Sequence, residues 1–83
     1  MTKQLAFPVI DNLATGRNIE LLRKQNEMSV RELQEIFGFT SPQSIYKWQW
    51  GETIPEIANL MMLSDLWNVS LEDILVRQNK DVF

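Results

Sequence analysis

Cysteine and histidine are both absent from the chain. Without cysteine there can be no disulfide and no thiolate metal site. Without histidine, most zinc, copper and iron sites and the usual general base near neutral pH are excluded as well. No metal is therefore expected, and no motif of the chain calls for another cofactor. Long hydrophobic runs are also lacking. The first apolar stretch, residues 5–10, is short, contains Pro8 and is soon followed by Asp11. It predicts neither a secretory leader nor a membrane span, and the expectation is a soluble, cytoplasmic protein. Positive charge is scarce too, with a net charge of −3 that argues at first sight against a nucleic-acid partner.

The distribution of charge qualifies that argument. Residues 1–50 carry six basic and five acidic side chains, a balance of +1, whereas residues 51–83 carry two against six, a balance of −4. A DNA-facing surface built from the first half remains open. The 83 residues suffice for one domain, and 45% apolar content with eight aromatics supports a modest core.

Helix signals dominate the pattern. Residues 1–14 read as an extended arm, because Leu5, Phe7 and Val9 alternate with Ala6 and Pro8. With Ile10, those apolar side chains either cover the core or form an arm swapped between protomers. Thr15 is a good N-cap for a first helix ending near Asn26, with Ile19 and Leu22 on one face. Ser29 and Glu32 have capping-box spacing, which predicts a second helix with Val30, Leu33, Ile36 and Phe37 as its apolar stripe. Gly38 closes it. After Phe39 and Thr40, Ser41-Pro42 reads as an N-cap and a first helical proline for a third helix running to about Gln49. Its inward residues are Ile45 and Trp48, and Gly51 supplies the stop. Trp50 stands about 200° around the helix from Trp48, so both cannot face the core. It either packs locally on the following loop or touches a partner.

A fourth helix follows Pro55 with a stripe of Ile57, Leu60, Met61, Leu63, Leu66 and Trp67, and Asn68 as a left-handed cap. Met62, like Ile57 and Met61, is read as core rather than as part of a ligand site. Ser70 and Asp73 open a short fifth helix, with Leu71, Ile74 and Leu75 inward. The expected organisation is thus all-α: an arm over 1–14, a five-helix domain over 15–76 and a tail over 77–83. Three or four residues join helices two and three, the spacing of a helix-turn-helix unit whose second helix enters the major groove.

The motifs TGRNIELLRKQNEMSVRELQEIFGF and SIYKWQWGETIPEIANLMMLSDLWNVSLEDIL resemble the Cro/Xre-type, lambda-repressor-like domain. The resemblance implies a regulator that binds operator DNA, usually as a dimer. Val30 stands where that family often carries a glutamine that touches phosphate. Gln49 replaces a usual glutamate and faces Arg23, and Trp50 replaces a residue that is often basic. The pair Thr40-Ser41 occupies a place where one Ser or Thr is usual. These departures imply fewer phosphate contacts, or different ones.

The expected function is sequence-specific binding of double-stranded DNA by a transcriptional regulator of the repressor kind, acting as a homodimer. Helix 42–49 would lie in the major groove. Gln43, Ser44 and Lys47 are the candidate base readers, since Gln bonds adenine, Lys bonds guanine and Ser contacts several base edges. Arg17, Arg31, Ser41, Tyr46 and Trp50 are the candidate backbone contacts. The alternative keeps the fold as a protein-interaction module of the antitoxin or anti-repressor kind. An enzyme is not expected, because the carboxylate pairs Glu32 with Glu35 and Glu72 with Asp73 read as helix-start and solvated charges.

Overall fold

The computed structural model describes residues 7–78. Leu5, Lys3 and the tail beyond Gln78 lie outside that range. Among the described residues there are five helices in chain order: α1 Asn12–Gln25, α2 Val30–Phe37, α3 Gln43–Trp50, α4 Ile57–Trp67 and α5 Leu71–Ile74. Among the described residues no β-strand forms, and the all-α expectation holds.

The start of α1 differs from the reading of the sequence. Its N-cap is Asp11, whose Oδ1 accepts from the Ala14 N–H at 2.9 Å. Asp and Thr are both good caps, and a carboxylate also complements the positive end of the helix dipole. Thr15 is instead fully buried in the first turns of α1. Its Oγ1 accepts from the Val76 N–H at 2.9 Å, across 61 residues of chain. Residues 12–14 are therefore helical rather than part of an extended arm.

The leader before α1 is tied to the segment after α5. The Gln78 N–H donates to the Val9 carbonyl and the Asp11 N–H to the Val76 carbonyl, each at 2.7 Å. Between them Ile10 and Arg77 form an isolated antiparallel bridge. Phe7 does not cover the core, being 94% exposed.

The caps of α2 match their residue types. Ser29 Oγ accepts from the Glu32 N–H at 3.0 Å, and Glu32 Oε1 accepts from the Ser29 N–H at 2.9 Å. Gly38 closes the helix at φ 71°, and the Phe39 N–H returns to the Gln34 carbonyl at 3.0 Å. Asn68 closes α4 in the same left-handed region, at φ 54°. Ser70 and Asp73 form a second reciprocal capping box at the start of α5.

The core gathers Ile19, Leu33, Ile45, Trp48, Leu60, Leu63, Trp67 and Ile74, drawn from all five helices. Two stripes are narrower than their sequence pattern suggests. On α2, Ile36 is exposed while Phe37 packs against the core. On α4, Ile57, Met61 and Met62 all face outward, contrary to the core role expected for them. An eleven-residue helix covered on one side alone can bury only one stripe. Leu60, Leu63 and Trp67 fill that stripe here.

Candidate nucleic-acid interface

Three contacts seat α3. The first is aromatic. Phe37, Phe39 and Trp48 form a triangle with ring centroids 5.3, 5.6 and 5.9 Å apart, the two contacts to Trp48 being edge-on. Such pairs contribute about 0.5–1.5 kcal/mol each beyond burial. Phe39 thus anchors the turn itself, a role that periodicity could not reveal because the residue lies between two helices.

The second is a close backbone approach. A Cβ on Gly16 would fall on the Trp48 carbonyl oxygen and come within 2.7 Å of the Gln49 carbonyl oxygen. Only a glycine in α1 lets α3 lie this near. At the other side, a Cβ on Gly51 would stand 2.9 Å from Leu13 Cα, and Gly51 itself has φ 76°.

The third is polar. Arg23 Nε donates to Gln49 Oε1 at 2.9 Å, and the same guanidinium donates through Nη1 to the Met28 carbonyl at 2.6 Å. The facing of Gln49 and Arg23 expected from the sequence is present, and its acceptor is a neutral amide.

The start of α3 is one residue later than expected. Pro42 occupies the cap position, with φ −81° and ψ 3°, and no side chain caps the helix. Ser41 Oγ reaches only the Gln43 N–H, at 3.4 Å. That is a stretched local turn contact rather than an N-cap bond. The Pro42 ring restrains φ in its place. The Ser41 hydroxyl remains exposed.

With Ile45 and Trp48 buried, helical geometry sets the outward face. Gln43, Tyr46, Lys47 and Trp50 share it, being three, four or seven residues apart. Ser44 lies on its flank, between Lys47 and Trp48. All five of these non-core side chains are exposed. Tyr46 and Trp50 stack on one another, with centroids 5.6 Å apart and planes 19° apart. Trp50 thus has a neighbour on its own helix that neither reading of the sequence named.

Charge on this side is positive and sparse. Lys47 is the one ionisable cation of α3, and the helix holds no carboxylate. Among the described residues the ion pair is Lys24 with Glu20, at 3.2 Å on the surface of α1. Arg17 and Arg31 are exposed and make no ion pair or side-chain hydrogen bond there. Arg17 follows Gly16, the residue of α1 that lies against the C-terminal end of α3. Arg31 sits exposed in the first turn of α2.

No three His, Cys, Asp or Glu side chains gather to hold a metal among the described residues. No helix there is long and apolar enough to cross a membrane.

A tight glycine turn, a second helix seated across the first and a polar, cationic outer face define a helix-turn-helix unit of the DNA-binding type. Comparison with known proteins agrees. The helix-turn-helix family model matches residues 19–74. The chain belongs to this Cro/C1-type family of non-enzymatic DNA-binding regulators. No curated protein matches the chain. Among solved structures, the DNA-binding domain of BldD from S. venezulae is similar, with a TM-score of 0.66 and 18% identity. That likeness covers 78% of this chain and 96% of the other and concerns the fold.

Proposed function

We propose that the protein is a cytoplasmic transcriptional regulator that binds a near-palindromic operator in double-stranded DNA as a homodimer and acts as a repressor. In this reading α3 is the recognition helix and lies in the major groove. Gln43, Ser44 and Lys47 meet base edges. Arg17, Arg31, Ser41, the Tyr46 hydroxyl and the Trp50 indole N–H hold the sugar-phosphate backbone. The observation that carries the proposal is the outer face of α3, which is exposed, bears Lys47 and contains no carboxylate. That face has the sign and the hydrogen-bonding groups that DNA requires, although the whole chain has a net charge of −3. One domain of this size reaches a single half-site, so useful affinity calls for two.

Random-site selection on the intact protein tests this reading, repeated with Gln43→Ala. Enrichment of a two-fold symmetric site, with one base preference per half-site lost in the variant, is the expected result. Two arginines per protomer on phosphate predict that log K falls against log salt with a slope of about −4 for a dimer. A flat salt response without sequence enrichment refutes the reading. Sedimentation showing a strict monomer at high micromolar concentration refutes the dimer.

A second reading has one observation in its favour. The outward row of Ile57, Met61 and Met62 on α4 is apolar and exposed, as a protein-binding face would be. Here the domain is an interaction module, and a flat salt response is what it predicts.

A further inference from the structure

The stacked pair on α3 is not explained by phosphate contact. Isolated exposed aromatics are ordinary on protein surfaces. Tyr46 and Trp50 are not isolated. They lie one helical turn apart, 37% and 56% exposed, with nearly parallel rings. Each ring restricts the rotamers of the other, so little side-chain entropy is left to lose when the pair meets a partner. The pair shares its face with Gln43 and Lys47, the groups that would address base edges.

The major groove presents one apolar group, the C5 methyl of thymine. Every other base edge there offers a donor or an acceptor. An apolar ledge on a helix in that groove therefore discriminates by the presence of that methyl. Charge on α3 itself is thin, Lys47 being its one cation. Non-ionic contact must then supply more of the affinity.

We infer that the Tyr46–Trp50 pair reads thymine through its C5 methyl, with the Tyr46 ring in contact and Trp50 as its brace. Tyr46 is the nearer of the two to the start of α3, the end that helix-turn-helix units set against base edges. The inference rests on α3 being the recognition helix. It is compatible with a phosphate bond from the Tyr46 hydroxyl, because ring and hydroxyl reach different groups.

The test begins with the site found by random selection. Each thymine of one half-site is replaced in turn by deoxyuridine, which lacks only the methyl. The wild-type protein is expected to lose about fourfold in affinity at one or two positions, the worth of one buried methyl. Tyr46→Ala and Trp50→Ala should bind the thymine and uridine forms of those positions alike. Tyr46→Phe should keep the discrimination while weakening both forms equally. An enriched site at which every thymine-to-uridine change is neutral overturns the inference and leaves the DNA-binding reading intact. Retention of the thymine preference in both alanine variants, or a selected half-site without thymine in either strand, overturns it in the same way. No enriched site at all overturns the reading and the inference together. The uridine comparison with the wild-type protein needs no variant, so loss of folding cannot obscure it.

Discussion

Replacing Gly16 by alanine should destabilise the domain, although helix propensity alone says the opposite. Gly16 lies inside α1, where alanine is favoured over glycine by about 1 kcal/mol. Against this stands the position of the new methyl. It would fall on the Trp48 carbonyl and lie 2.7 and 2.9 Å from the carbonyl oxygen and carbon of Gln49. These are backbone atoms of a neighbouring helix, so no rotamer change can relieve the clash. The helices α1 and α3 must move apart by about 1 Å to restore ordinary contact distances near 3.5 Å. A radial gap of that size forfeits about half of the dispersion between the separated surfaces. Those surfaces include Ile19, Ile45 and Trp48. Overpacking of this kind costs about 1–3 kcal/mol, and a rigid backbone neighbour puts Gly16 toward the upper end. The net expectation is a loss of about 1–2 kcal/mol after the propensity gain is subtracted.

For a domain of this size that corresponds to a fall in Tm of roughly 4–16 °C. Urea denaturation should show a lower midpoint at unchanged slope. The Gly38→Ala variant is the control, since no atom lies within 4 Å of its Cβ and only its φ of 71° opposes the change. It should lose about 1 kcal/mol from backbone conformation alone. A Gly16→Ala protein as stable as wild type, or more stable, would show that the helices can separate freely and that the close approach does not seat α3.

Three further changes probe other parts of the same framework. Glu27 holds φ 53° just after α1, a region costly for a residue with a Cβ. Glu27→Gly should therefore raise stability by about 0.5–1 kcal/mol in a urea titration, and a fall would contradict it. Thr15→Val removes the hydroxyl that accepts from the Val76 N–H while keeping the shape. It should cost about 1–3 kcal/mol and accelerate hydrogen exchange at the Val76 amide, whereas unchanged exchange would refute the role of that bond. Gln49→Glu would turn the neutral acceptor of Arg23 into a charged one. Both partners are half-buried, so a gain of about 0.5–1.5 kcal/mol that shrinks in high salt is expected in thermal melts.

What could be read from the sequence and what could not divide along range of interaction. The caps of α2 and α5, Gly38, Gly51, Asn68 and the opposition of Trp48 to Trp50 were all legible. Each is settled within one or two turns of chain, where spacing alone brings the partners together. The facing of Arg23 and Gln49 was legible for a different reason, since it came with the family resemblance. The base-reading candidates shared the legibility of their helix, because burying Ile45 and Trp48 leaves Gln43, Tyr46 and Lys47 no other side to occupy. The stacking of Tyr46 on Trp50 is permitted by their four-residue spacing, yet only the structure showed that the rings meet.

The remaining features belong to tertiary structure. Asp11 and Thr15 are both good caps by residue type. What assigned them was the Val76 amide, 61 residues beyond Thr15 in the chain, which needs a buried acceptor. Gly16 is an unremarked residue in a helical pattern until α3 lies against it. Ile57, Met61 and Met62 match a buried stripe as well as Leu60 and Leu63 do, and only the absence of a covering layer among the described residues leaves them exposed. The sequence by itself determined five helices, their order, their ends to within a few residues and the face that α3 turns outward, because hydrogen-bonded caps and the 3.6-residue period act locally. Tertiary structure alone decided how near α1 and α3 approach, which apolar residues are covered and how leader and tail are joined, because those depend on groups that meet only after the chain has packed.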